Sequence, residues 1–358
     1  MTFTVHELAI PATIDAADAA DFVASIALRN EVEALGYGTR DLETEPVEML
    51  PGYHDPDSPR RLFGVRIDGA LVARAYYEVN VGSEEPVAWA VVEVLPGFRG
   101  RGIGTALAEH VEALAHDRRR LYVYVVSPEG EGERLVPPTG YGSVPVANPE
   151  VRFLLHRGFT LEQVERASRL ALPLDDARLS SAVAAASAVS GDDYRLHRWI
   201  RRTPQQWLDD MALMFTRMST EYPSANLEVT QDLWDSERVR LHNDREAANP
   251  RHTLIASALH VPSGHLVGYT ALSVPPESLR AVSQEDTIVL AEHRGHRLGM
   301  LLKAVNLLQL AERYPHHPAV ITYNAEENRP MLAVNEALGF VAIGYEGLWK
   351  RMLEPGPA

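Results

Sequence analysis

An apolar run, an Arg-Gly loop and an amphipathic helix pattern follow one another twice in this chain, as EVLPGFRGRGIGTALAEHVEALA (Glu93–Ala115) and IVLAEHRGHRLGMLLKAVNLL (Ile288–Leu308). A second shared segment ending in Gly-Phe follows each, FLLHRGF (Phe153–Phe159) and NAEENRPMLAVNEALGF (Asn324–Phe340). The loop arginines Arg99 and Arg294 lie 195 residues apart and the closing Phe159 and Phe340 only 181, so the first copy carries 14 extra residues. These fall in SPEGEGERLVPPTGYGSVPVA (Ser127–Ala147), which has no hydrophobic period and reads as a long loop. Duplication of one unit, and not a single large core, accounts for 358 residues.

Within the first copy, RLFGVRID (Arg61–Asp68), LVARAYYEV (Leu71–Val79) and VAWAVVEVL (Val87–Leu95) read as an antiparallel meander separated by short turns. Ile103, Leu107, Val111 and Leu114 then recur at helical spacing, and LYVYVV (Leu121–Val126) is a β-branched and aromatic strand. The Ala/Ser-rich middle of LPLDDARLSSAVAAASAVSGDDY (Leu172–Tyr194) is helix-compatible between Pro, Asp and Gly ends, and the domain boundary is expected there. The resulting division is a first domain over 1–173, a linker over 174–193 and a second domain over 194–358. In the second copy Thr203-Pro204-Gln205-Gln206 has the residues of a helix start, and Trp207, Met211, Met214, Phe215 and Met218 follow on one face as core or as an acceptor-side stripe.

Both loops join a strand to a helix, where unpaired N–H groups and the positive dipole end attract phosphate. Spacing narrows the ligand. A Walker loop needs a lysine that the first loop lacks, and the dinucleotide fingerprint fails because Thr105 stands at its third glycine and the flanking strands read as antiparallel. The charge balance of 34 basic against 49 acidic residues, a net −15, disfavours a nucleic-acid partner. With no cysteine, disulfides, thiolate metal sites and a cysteine nucleophile are excluded together. The 14 histidines show no ligand spacing; His293 and His296, beside the second loop, read as polar surface or phosphate neighbours, and no metal is expected. No apolar run reaches membrane-span length and the first residues lack a signal pattern, so a cytoplasmic protein with no membrane partner is expected.

Arg99-Gly100-Arg101-Gly102-Ile103-Gly104 resembles the Arg/Gln-x-x-Gly-x-Gly/Ala loop of GNAT acetyltransferases, and the Gly-Phe segments resemble that family's second cofactor-side motif. Over nearly the whole chain the arrangement is similar to tandem GNAT proteins. The resemblance implies an α/β fold of two GNAT domains, each a mixed, mostly antiparallel sheet flanked by helices and splayed between its fourth and fifth strands to admit acetyl-CoA. It assigns the cofactor diphosphate to the backbone of Arg99–Gly104 in the first copy, and the pantetheine to main chain at Val94 and Leu95. In the second copy it assigns Arg294, Gly295, Arg297 and Gly299 to the diphosphate loop and Asn324 and Asn328 to the cofactor side. Each copy departs from the pattern where many members carry a thiolate-protonating tyrosine: Leu154 and Asn335 stand there. Arg297 also replaces the loop's central glycine, which favours the first loop as the tighter one.

Acyl transfer to an amine needs a base, a polarised thioester and a proton for the leaving thiolate. Glu93, near the end of the fourth strand, is the expected base of the first copy, with an ion pair to Arg99 or Arg101 as its structural alternative; Asp286 is the rival base in the second. The functional expectation is an acetyl-CoA-dependent N-acetyltransferase acting on a small amine, a metabolite or antibiotic, by direct transfer in a ternary complex. A mycothiol-synthase-like anabolic enzyme and a non-catalytic acyl-CoA-binding protein are the alternatives. The chain is expected as a monomer with an internal pseudo-dimer, or as a homodimer.

Overall fold

The computed structural model describes residues 3–79, 87–115, 118, 120–221, 225 and 231–353. The first copy forms β1 (Val5–Leu8), α1 (Ala20–Tyr37), α2 (Pro46–Tyr53), β2 (Arg60–Ile67), β3 (Ala70–Val79), β4 (Val87–Val94), α3 (Ile103–Leu114), β5 (Arg120–Ser127), β6 (Arg134–Leu135), β7 (Val144–Pro145), α4 (Pro149–His156) and β8 (Thr160–Ala171). The second forms α5 (Asp176–Ser190), β9 (Tyr194–Ile200), α6 (Leu208–Glu221), α7 (Ser236–Ala248), β10 (His252–His260), β11 (His265–Val274), β12 (Val282–Val289), α8 (Leu298–Arg313), β13 (Ala319–Ala325), α9 (Arg329–Leu338) and β14 (Val341–Met352).

Two compact units result, and their boundaries differ from the expected 1–173, 174–193 and 194–358. The first unit gathers the chain up to Arg166 with the strand residues from Gly344; the second begins at Ala167 and runs to Ile343. In the first unit the sheet order is β1-β2-β3-β4-β5-β14-β8, so the last strand of the second copy completes the sheet of the first. Its register is antiparallel to β5, from Tyr345 opposite Ser127 to Met352 opposite Arg120. Trp349 of β14, 1% exposed, packs in the same apolar cluster as Phe63, Leu107 and Leu121, which makes the exchanged strand part of that core. The residues expected to form a linker are instead helix α5, capped by Asp175 on the N–H of Ala177 and packed against α8 inside the second unit. The segment expected as a bare loop, Ser127–Ala147, contains the short β6–β7 hairpin.

The second unit has the order β8-β13-β12-β11-β10-β9, entered through the β8 residues from Ala167. Its fourth and fifth strands, β12 and β13, are parallel and pair only at Val282–Val320 and Ser283–Ile321 before separating. In the first unit β4 and β5 stay paired for four rows, Val87–Arg120 to Ala90–Val123. Parallel strands that part leave backbone groups and side chains facing an open notch, so the second notch opens earlier along its strand. Aromatic rings occupy the beginning of the first: Trp89 of β4 stacks on Tyr122 and Tyr124 of β5 with centroids 4.9 and 5.5 Å away.

Candidate active site

Both Arg-Gly loops turn the chain the same way. Gly102 (φ 81°) caps α3 in the left-handed region, and Arg297 (φ 56°) takes that conformation at the start of α8. A side chain there costs roughly 1–2 kcal/mol against glycine, yet the backbone path is kept; Gly100 and Gly295 are also left-handed, at 71° and 87°. In each copy the loop arginine folds back on its strand: Arg99 Nε donates to the Val94 carbonyl at 2.9 Å and Arg294 Nε to that of Val289 at 3.0 Å. The main chain at Leu95 is also used internally, its N–H by the Val72 carbonyl and its carbonyl by the Phe98 N–H. Arg101 donates to the Gly97 carbonyl at 2.7 Å and lies over the Phe98 ring, and Ile103 is buried in the core, so these two face away from a ligand. A Cβ at Gly104 would stand 3.6 Å from Val94, an ordinary van der Waals contact.

Glu93, the base expected in the first copy, is engaged by a neighbouring strand. It is 8% exposed, stands opposite Arg74 in the β3–β4 register and is bound to it through Arg74 Nε in a buried ion pair. The partner is therefore neither Arg99 nor Arg101. The guanidinium remains charged despite its burial because Glu93 and Tyr53 hold it so. The neighbouring Glu33 of α1 is pushed up to about 7 by burial, and Glu346 of β14 up to about 8, by burial first and then by Glu165 and Glu33, with Tyr37 donating to it at 3.1 Å. α1 also brings Gly36 against Val126 of β5, so helix and buried charges cover this face of the first sheet.

The second unit is different because β12 bulges. Thr270 of β11 faces Thr287 and Leu272 faces Gln284, so Glu285 and Asp286 share the one place opposite Ala271. An extra residue in a strand re-aims its side chains, and here the two consecutive carboxylates both line one cavity of about 520 Å³. The β3–β4 register of the first unit has no such shift. Tyr269, buried in β11, donates its hydroxyl to Asp286 at 2.9 Å. Burial raises the Asp286 carboxyl, while that hydrogen bond and His242 oppose the rise. Glu285 goes up to about 7, through burial and then the negative charge of Asp286. Both residues remain exposed within the cavity although protein surrounds them. Across the cavity, Phe215 and Met218 of α6 and Trp234 face them, with His242 of α7 lowered by burial. The Met/Trp/Phe stripe thus divides: Met211 and Met214 are core, Phe215 and Met218 line the site.

A second cavity of about 710 Å³ adjoins the first through Met218, Thr287, Asn328 and Met331. It is lined by Arg294, Gly295, Arg297, Leu298 and Gly299 at the head of α8, whose first N–H groups have no partner within the helix. Those amides and two guanidinium groups suit a diphosphate. Arg294 also binds Glu221, the last residue of α6. Asn328 caps α9 by accepting the Met331 N–H and borders both cavities, while Asn324 accepts a 2.6 Å hydrogen bond from Asn335. His293 pairs with Tyr194 at 2.9 Å, and among the described residues no group of three or more ligands could hold a metal ion.

The description Acetyltransferase (GNAT) family matches residues 25–132, within the first unit. Mycothiol acetyltransferase of Geodermatophilus obscurus is 27% identical over 343 residues, 94% of this chain and 96% of its own. A solved tandem GNAT protein from the clavulanic acid biosynthesis pathway covers all of both chains at 26% identity with a TM-score of 0.74. Residues 25–132 thus carry a GNAT acetyltransferase match, and the chain as a whole is similar to tandem GNAT proteins. A GCN5-related N-acetyltransferase from Sphaerobacter thermophilus, at 15% identity and TM-score 0.63 over 99% of this chain and 97% of its own, shares the fold. The structure brings Asp286 and the second loop to adjoining cavities, and it adds Glu285, His242 and Lys303 to the lining and Tyr269 as the partner of Asp286, none of which the sequence singled out. Among the described residues no helix is long and apolar enough to cross a membrane.

Proposed function

We propose that the second unit catalyses acetyl-CoA-dependent N-acetylation of a small amine by direct transfer in a ternary complex. The observation that carries this reading is the bulge, which puts two carboxylates of raised proton affinity beside the junction of the two cavities. The Arg294–Gly299 side takes the diphosphate, and the cavity between α6, α7 and β12 takes the acceptor. A cationic amine is drawn to Glu285 and Asp286; one of them removes its proton, and the neutral nitrogen attacks the thioester. The absence of cysteine and the two adjoining cavities support direct transfer. The match to the Geodermatophilus protein along 94% of the chain favours, as a second reading, an acceptor belonging to mycothiol metabolism.

The test is a panel of amines, mycothiol-type amines included, incubated with acetyl-CoA while free CoA is followed and products are weighed by mass spectrometry. Acceptor-dependent CoA release with intersecting initial-rate lines is expected. Tight acetyl-CoA binding without turnover of any amine would favour a binding protein, and parallel lines would rule out the ternary complex.

A further inference from the structure

Lys303, in the second turn of α8, is a lysine with 2% exposure that lines the 520 Å³ cavity. No hydrogen bond or ion pair of this amine is found among the described residues; the Phe340 ring lies 5.7 Å from Nζ. A lone buried ammonium is unfavourable, so a purely structural position would be filled better by an apolar side chain, as Ala108 fills the corresponding place 195 residues earlier. The cavity has two walls. Phe215, Trp234 and His242 form the acceptor side, while Lys303 of α8, Thr322 and Asn324 of β13, Asn328 at the cap of α9 and Met331 of α9 form the other, and α8 and α9 also bound the diphosphate side.

We propose that Lys303 is the acid that protonates the departing CoA thiolate. This rests on the transferase reading above. When the amine nitrogen bonds to the acyl carbon, the carbon–sulfur bond breaks and sulfur keeps the electron pair; the Lys303 ammonium gives sulfur a proton, and the lysine is reprotonated from solvent as product leaves. The two asparagines at the notch, Asn324 and Asn335, are hydrogen-bonded to each other and carry no titratable proton. The other titratable groups facing the cavity are His242 of α7, Glu285 and Asp286 of β12, and Tyr323 of β13. Burial brings the Lys303 amine down to about 7, near the ~8.5 of an ordinary thiol, so a proton can pass between the two groups, while a thiolate beside the amine favours the ammonium and the ammonium favours the thiolate.

The experiment uses the full chain and free CoA. The ultraviolet difference spectrum between bound CoA and bound desulfo-CoA, taken across pH, reports the thiolate. In the wild type the bound thiol should ionise about one pH unit or more below its midpoint in Lys303→Met and Lys303→Gln, because a cation nearby favours the thiolate. With a turned-over amine, kcat in both variants should fall roughly 10²-fold or more and lose its alkaline limb, with the KM for acetyl-CoA little changed. Equal thiol midpoints in all three proteins, or an alkaline limb removed by Tyr323→Phe but not by the Lys303 variants, would overturn the assignment. If the wild type binds CoA and shifts its thiol but acetylates no amine, the acceptor reading fails and the lysine assignment stands; if it binds no CoA, both fail.

Discussion

Replacing Glu93 by glutamine separates its two possible roles. Glu93→Gln keeps the shape of the side chain and removes the charge, leaving the Arg74 guanidinium, 4% exposed, without its anion in the first unit's sheet. Breaking a buried pair from one side costs about 3–5 kcal/mol, because the remaining charge is uncompensated. For a unit of this size, 1 kcal/mol moves the melting temperature by roughly 2–4 °C, so a fall of about 6–20 °C is expected. The companion variant Arg74→Met alone should be nearly as destabilising, whereas the pair Arg74→Met with Glu93→Gln should recover most of the loss, the coupling that a double-mutant cycle measures. Calorimetric melts with and without 1 mM or so of acetyl-CoA, alongside kcat measured well below the transition, form the assay. An unchanged kcat with a lower transition is expected. A kcat reduced 10²-fold or more with an unchanged transition would refute the ion-pair argument and restore Glu93 as base.

Asp286→Asn and Glu285→Gln should each lower kcat, by roughly 10²–10⁴ for whichever carries the proton, with acetyl-CoA binding by calorimetry unchanged; wild-type rates in both would remove the bulge from the mechanism. Lys303 has a folded proton affinity below that of the unfolded chain, so between pH ~7 and ~10.5 the native state holds fewer protons and stability rises with pH. Lys303→Met should therefore stabilise most below pH 7 and lose that advantage as pH rises through this window in urea titrations. Gly299→Val places a side chain in the diphosphate cavity and should weaken CoA binding by tenfold or more, while Arg297→Gly, relieving a left-handed side chain at 56°, should raise stability by up to about 1 kcal/mol.

The meander, the two Arg-Gly loops and the helices after them were legible because each is written in local pattern: alternation for β2–β4, glycines at left-handed positions, apolar spacing in α3 and α8. The α5 helix could be read as helix-compatible but not placed, since its few apolar residues find their partner in α8, far along the chain. The exchange of β14 was invisible for a related reason. Its residues would pair as well with either copy, and only the position of Trp349 in the core with Phe63 and Leu107 decides it. Glu93 and Asp286 looked equivalent in sequence because both are acids near the end of a fourth strand. What distinguishes them is whether a cation stands opposite in the neighbouring strand: Arg74 faces the first, while the second receives only a tyrosine hydroxyl.

Duplication gives this comparison its force, since both units start from one backbone plan and differ in what fills it. At the notch the first unit has paired strands, an aromatic stack and a closed ion pair; the second has strands that part early, a bulge, two open carboxylates and an unpaired lysine. Each of the second unit's features is unfavourable to folding on its own account, through lost ladder hydrogen bonds, adjacent charges of one sign or a desolvated amine. Three such features gathered around one cavity are better explained by ligands that compensate them than by independent defects. The Gly102-to-Arg297 difference, which favoured the first loop in the sequence, changes only a residue whose left-handed backbone is retained, and so weighs less than the chemistry at the notch.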